Sequence, residues 1–153
     1  MSVHVVRSHA LVVEKPLAEA FAFFTPEGER AWAQGWDPRY HHPEDGRLER
    51  GLVFTTGGGA EHTIWTVVRL DPPHLVEYVR TTPGSRTGTV LVQCTPLGDA
   101  RTRATVVYSM TSLTDAGAKV LRDLDDAAFA RFIAHWEESI AAAIAGEGRA
   151  AAR

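Results

Sequence analysis

His62, Glu77, Arg80 and Tyr108, with Tyr78 alongside, are the residues whose types could move a proton or orient a polar group inside an apolar setting. Burial shifts such groups toward useful pKa values, so acid–base work is the chemistry they offer. No pair among them is singled out by spacing. Nucleophilic catalysis has less to stand on: there is no G-x-S-x-G elbow, and Cys94 has no adjacent histidine motif. Gly57-Gly58-Gly59 lacks the lysine and following helix of a phosphate loop and is expected to be a turn. Cys94 ends the alternating run Gly88, Val90, Val92, Cys94, where a small buried side chain is the expectation and a reactive thiol the alternative.

A second group is aromatic. Trp36, Tyr40, His41 and His42 crowd rings into a stretch without periodicity, either a lid over a cavity or a loop that uses Trp36 as a plug. His41, His42 and His62 with Glu61 or Glu44 do not form a recognised metal-ligand pattern, and neither a metal nor another cofactor is expected. Phe129, Phe132 and Trp136 recur at helical spacing, and Trp65 sits in a β-like run. Such residues form core unless a curved sheet leaves a gap beneath the helix. In that case they line a pocket with Trp36, Tyr40, His62, Trp65, Tyr78, Arg80, Tyr108, Met110, Phe132 and Trp136 as candidate ligand-binding residues.

The elements that must position these residues are short strands followed by one long helix. Val3 to Val13 reads as a strand, stopped by Glu14-Lys15-Pro16, which opens a helix over Leu17 to Phe24. Thr25 and Pro26 then offer the cap and first residue of a second short helix that carries Trp32 and ends near Gly35. Trp36 to Gly46 holds two prolines and no period and is predicted as a loop. Strands follow at 48–56 (broken at Gly51), 62–70, 75–82, 86–95 and 101–111. Their short connections force antiparallel neighbours. In the last strand Ala104, Val106, Tyr108 and Met110 share a face, while Tyr78 and Val79 cannot. The closing helix runs over 113–145, with a bend expected at Asp125-Asp126 and a stop at Gly146. Phe129, Phe132, Ile133, Trp136, Ile140 and Ile144 form its apolar stripe, and His135 belongs to the solvated side.

The chain's 153 residues suit one domain, residues 1–146, with a disordered tail at 147–153. A formal charge of −3 without a Lys/Arg run argues against nucleic acid and acidic membrane surfaces. His4, Arg7 and His9 interrupt the N-terminal apolar residues, and no apolar run approaches the ~20 residues of a membrane span, so a cytoplasmic protein is expected.

Pro16-Leu17-Ala18-Glu19-Ala20-Phe21, Trp65-Thr66-Val67 with Asp71-Pro72-Pro73, Thr82-Pro83-Gly84-Ser85 and the Trp136 helix together resemble the START/Bet v 1-like (SRPBCC) superfamily. The likeness is to the bacterial branch that also holds polyketide cyclase/dehydratase-like and Hsp90-activator-like proteins. It implies an α+β helix-grip fold, a curved antiparallel sheet of six or seven strands wrapped around the C-terminal helix, with two short helices after the first strand. It also implies a cavity for a small hydrophobic or aromatic molecule. The alternatives it brings are a cyclase/dehydratase and a protein-interaction module; a homodimer is the further partner considered. Cyclase members use pocket Arg, Tyr and His residues, for which Arg80, Tyr78 and His62 are compatible types.

Overall fold

The computed structural model describes residues 2–151. Seven strands form one antiparallel sheet in the order β1-β7-β6-β5-β4-β3-β2. They are β1 (His4–Val13), β2 (Arg39–His42), β3 (Val53–Thr56), β4 (Thr63–Asp71), β5 (Leu75–Thr82), β6 (Arg86–Pro96) and β7 (Thr102–Ser112). Helices α1 (Leu17–Ala22) and α2 (Pro26–Glu29) follow β1, and α3 (Asp115–Asp123) and α4 (Asp126–Ala151) close the chain. This is the α+β helix-grip arrangement, with the curved sheet wrapping α4.

Alternation dictates which face is inside. On β7, Ala104, Val106, Tyr108 and Met110 are buried, and on β6 so are Val90, Val92 and Cys94. Tyr78 resolves the ambiguity on β5 by taking the inner face, while Val79 is only half-buried. The concave face packs on Phe129, Ile133 and Ile140 of α4, positions that stack on one side of a helix. Phe132 falls off that seam and stays 40% exposed.

Four local outcomes differ from the sequence expectations. Residues 39–42 form an edge strand, not loop, because β3 supplies the pairing (Arg39 with Thr55, Tyr40 with Phe54) that their composition does not advertise. Helix α2 ends at Glu29, so Trp32 lies in the turns beyond it. The bend expected at Asp125-Asp126, where Asp123, Asp125 or Asp126 could cap a restarted segment, is a full break into two helices: Arg7 of β1 donates from Nε to the Leu124 carbonyl (2.8 Å), and Asp125 Oδ1 accepts from Ala128 N (2.8 Å) to start α4. Finally, α4 runs through Gly146 to Ala151, with Glu147 3.5 Å from Lys15 Nζ, where a frayed tail was expected. Residues 152 and 153 lie outside the described residues.

One long-range contact places α4, and a local cap starts α2. Glu137 of α4 accepts a hydrogen bond from the Val12 amide of β1 (2.7 Å). Thr25 caps α2 by accepting from Gly28 N (3.0 Å), with Pro26 at the first helical position, as its sequence predicts. A Cβ at Gly28 would lie 1.7 Å from the Ala22 carbonyl oxygen, so only glycine lets α2 close against α1.

Candidate functional site: an aromatic hollow between sheet, helix and clasp

Between the sheet and α4, closed at one side by the segment 17–36 that carries α1 and α2 (the clasp), lies a hollow of about 320 Å³. Phe54, Trp65, Tyr78, Arg80, Val90, Val92 and Tyr108 form its floor. Phe132, His135, Trp136 and Ser139 form the roof, and Phe24, Glu29, Trp32 and Trp36 form the side. The rings fall into two connected groups. Phe54 and Trp65 stack with centroids 5.8 Å apart, and Trp36 meets both edge-on at 6.0 and 5.5 Å. Across the hollow Trp136 meets Trp32 at 5.3 Å, Phe132 at 5.3 Å and Tyr108 at 6.5 Å. Aromatic pairs of this kind contribute about 0.5–1.5 kcal/mol each beyond area burial.

The polar tips of three of these rings are committed to the clasp. Trp32 Nε1 donates to Phe23 O (2.8 Å), Trp36 Nε1 to Pro26 O (2.8 Å) and Tyr78 Oη to Phe24 O (2.7 Å). Phe23 and Phe24 follow the end of α1, and α2 is a single turn of four residues, so all of its carbonyls count among the last four that a helix leaves without full helical partners. The sequence reading gave Tyr78 an orienting role toward a guest; its hydroxyl instead holds the clasp to the sheet. Tyr108 differs, since its hydroxyl has no hydrogen-bond partner among the described residues, and burial pushes its pKa up to about 12.

Arg80 and Glu29 are the guanidinium and the carboxyl group of the hollow. Arg80 Nη2 donates to Thr82 Oγ1 (2.8 Å), and its guanidinium carbon sits 5.1 Å from the Trp65 ring centroid. Register explains the contact, because Trp65 of β4 pairs directly with Arg80 of β5. Burial holds the Arg80 pKa below the ordinary guanidinium range. Glu29 has no hydrogen bond or ion pair among the described residues, although it keeps some accessible surface as part of the hollow's wall. Burial raises its pKa well above the usual carboxylate range, favouring the protonated acid. A neutral carboxylic acid in an aromatic hollow can donate a hydrogen bond or deliver a proton.

Seven of the ten expected residues therefore come together: Trp36, Trp65, Tyr78, Arg80, Tyr108, Phe132 and Trp136. Met110 is buried beneath an adjoining hollow of similar size that shares Arg80, Tyr108 and Phe132 with the first. Tyr40 packs on Phe54 at 6.1 Å and hydrogen-bonds Glu27, away from the cavity. His62 is exposed and lines a separate surface hollow with Asp37 and Thr56, because it precedes β4 and not the inward register of Thr63, Trp65 and Val67. His41 bonds Thr55 Oγ1 at 3.0 Å, and among the described residues no three His, Cys, Asp or Glu side chains gather as metal ligands would. Among those residues, no helix is long and apolar enough to cross a membrane.

Glu29, Trp32 and His135 belong to the hollow without having been expected there. His135 is exposed at its rim, one turn from Phe132. For Glu29 one signal existed: Glu27 and Glu29 stand two positions apart and so face opposite sides of a helical turn. With Glu27 tied outward to Arg30 (2.9 Å), Glu29 must point in.

No protein-family model and no curated protein matches the chain. Solved structures do. Norcoclaurine synthase of Thalictrum flavum, as a point mutant with a transition-state analogue, aligns at TM-score 0.65 and 12% identity, covering 96% of this chain and 98% of that one. Another structure of that synthase holds dopamine and hydroxybenzaldehyde. An uncharacterized protein from Rhizobium leguminosarum aligns at TM-score 0.64 and 12% identity over 92% and 96% of the two chains. An HSP90 activator from Plasmodium falciparum aligns at 0.55 and 15% over 94% and 93%. At these identities the likeness is one of fold.

Proposed function

We propose that this chain, which has the helix-grip fold of the START/Bet v 1-like superfamily, encloses one small hydrophobic or aromatic molecule between its sheet and α4. The observation that carries the reading is the 320 Å³ hollow walled by rings from three separate parts of the fold. A volume of this order, apolar with few polar groups, suits a small-molecule site. The synthase with the same fold, whose structure contains two small aromatic molecules, supports it. Native mass spectrometry of freshly purified protein, followed by titration with the neutral fluorophore N-phenyl-1-naphthylamine, tests it. A retained small-molecule adduct or saturable fluorescence enhancement is expected, and Val92→Trp, which places an indole on the floor, should abolish the enhancement. No adduct and no enhancement in the wild type would sink the reading.

One observation favours a second reading, a cyclase/dehydratase-like enzyme. Glu29 is an unpartnered acid in the same hollow as the unpartnered Tyr108 hydroxyl, an arrangement suited to protonating a departing hydroxyl group. Dehydration of a β-hydroxyketone on an aromatic scaffold, compared between wild type and Glu29→Gln, tests it; equal rates would dismiss it.

A further inference from the structure

Among the described residues three arginines are half-buried: Arg7, Arg80 and Arg86. Arg7 has Asp126 at 3.7 Å and Arg86 has Glu61 at 3.2 Å, but Arg80 has no carboxylate within ion-pair distance among the described residues. Taking a cation out of water without a counter-charge is expensive, so an unpaired one is informative. The Trp65 ring and the hydroxyls of Thr82 and Thr63 offset part of that cost, and all of their hydrogen bonding falls on Nη2. Nε is sealed from solvent with no acceptor, the one buried side-chain polar atom among the described residues left so. Nη1 makes no hydrogen bond either.

No nearby carboxylate pairs with it: Glu61 acts on Arg80 only through space, because its carboxylate is held by Arg86 Nη2 at 3.2 Å. Glu29, the acid in the wall of the same hollow, makes no ion pair, and its pKa shift runs in the direction opposite to a carboxylate beside a cation. Asp123, at the adjoining hollow, is held by Lys119 Nζ at 2.8 Å. Across β6 the residue in register with Arg80 is Gly88, so no side chain stands directly opposite it on that strand. Arg80 also borders both hollows, within reach of a guest in either.

We propose that the molecule this cavity binds carries an anionic oxygen group, a carboxylate on an aromatic body, which accepts a hydrogen bond from the uncommitted Nη1 of Arg80 while its ring packs among Trp65, Trp136 and Phe132. This deepens the ligand-binding reading and rests on it. Charge-assisted bonds in a water-poor site are about twice as strong as neutral ones, so the anion should dominate selectivity.

The test uses N-phenyl-1-naphthylamine to report occupancy and two competitors of nearly equal shape, 1-naphthoate and its neutral amide, at pH 7.5. Wild type is expected to release the reporter at naphthoate concentrations about tenfold or more below those of the amide, a ratio worth about 1.4 kcal/mol. Arg80→Met should bring that ratio close to one, and because the readout is a ratio, a general loss of affinity cancels. Equal displacement by acid and amide in the wild type overturns the inference without any variant. So does a preserved ratio in Arg80→Met or, should that variant not fold, in Arg80→Gln. Failure of the wild type to bind the reporter at all overturns the ligand-binding reading itself, and this inference with it.

Discussion

The Tyr78 hydroxyl donates to the Phe24 carbonyl at 2.7 Å, joining the middle of β5 to the segment that links α1 and α2, 54 positions earlier in the chain. Both groups are buried, so the bond holds the clasp at a fixed height above the sheet. Tyr108, one strand further from Tyr78 than Val90, presents a hydroxyl with no such anchor.

Tyr78→Phe is accordingly expected to destabilise the protein by about 1–2 kcal/mol, since it strands a buried acceptor. At this chain length that lowers Tm by about 2–4 °C per kcal/mol. Tyr108→Phe should cost well under half as much. Differential scanning calorimetry of the two variants checks the contrast, and equal losses would refute it.

Glu29 should make stability fall as pH rises. Its folded pKa lies above the unfolded value, so between the two the folded state holds more protons, and stability present below the unfolded pKa of about 4.3 declines as the pH climbs through the folded pKa. Glu29→Gln removes the titration. It is expected to raise Tm at pH 8 and to change it little at pH 4. Melting curves at the two pH values decide, and a variant that gains nothing at pH 8 contradicts the assignment.

Gly28→Ala should destabilise by about 1–3 kcal/mol through overpacking, because the new methyl meets the Ala22 carbonyl. The damage should be local first: amide exchange at Thr25 to Ala33 rising before that of β6 and β7. Uniform exchange across the chain would count against a separate clasp.

Cys94 is 2% exposed, and burial pushes its thiol up to about 12, so it should resist a disulfide reagent at pH 8 in native buffer and react fully in denaturant. Stoichiometric labelling of the native protein within minutes would show the inner face of β6 to be open.

The inner face of the sheet was legible because Ala104, Val106, Tyr108 and Met110 alternate strictly and one-sided burial leaves that mark in a sequence. The α4 seam was legible for the same reason at helical spacing. Residues 39–42 were not, since an edge strand borrows its conformation from the partner strand and needs no alternation of its own. His62 looked like a pocket residue by type alone, yet one step of register places it outside. Glu29 escaped notice because an acid in a short helix looks solvated until the neighbour that holds Glu27 outward is known. Which ring hydroxyls and indoles are spent on backbone carbonyls depends on contacts made by residues far apart in sequence, and no local pattern encodes that.

Edge strands invite foreign chains to add on, since their outward amides offer a ready template for intermolecular pairing. On β1 the Val12 amide is already taken by the Glu137 carboxylate from α4. A stray strand aligning there would have to evict a charged acceptor and would meet no free donor at that step. The same helix that roofs the hollow thus also blocks strand addition at that step of the sheet's margin.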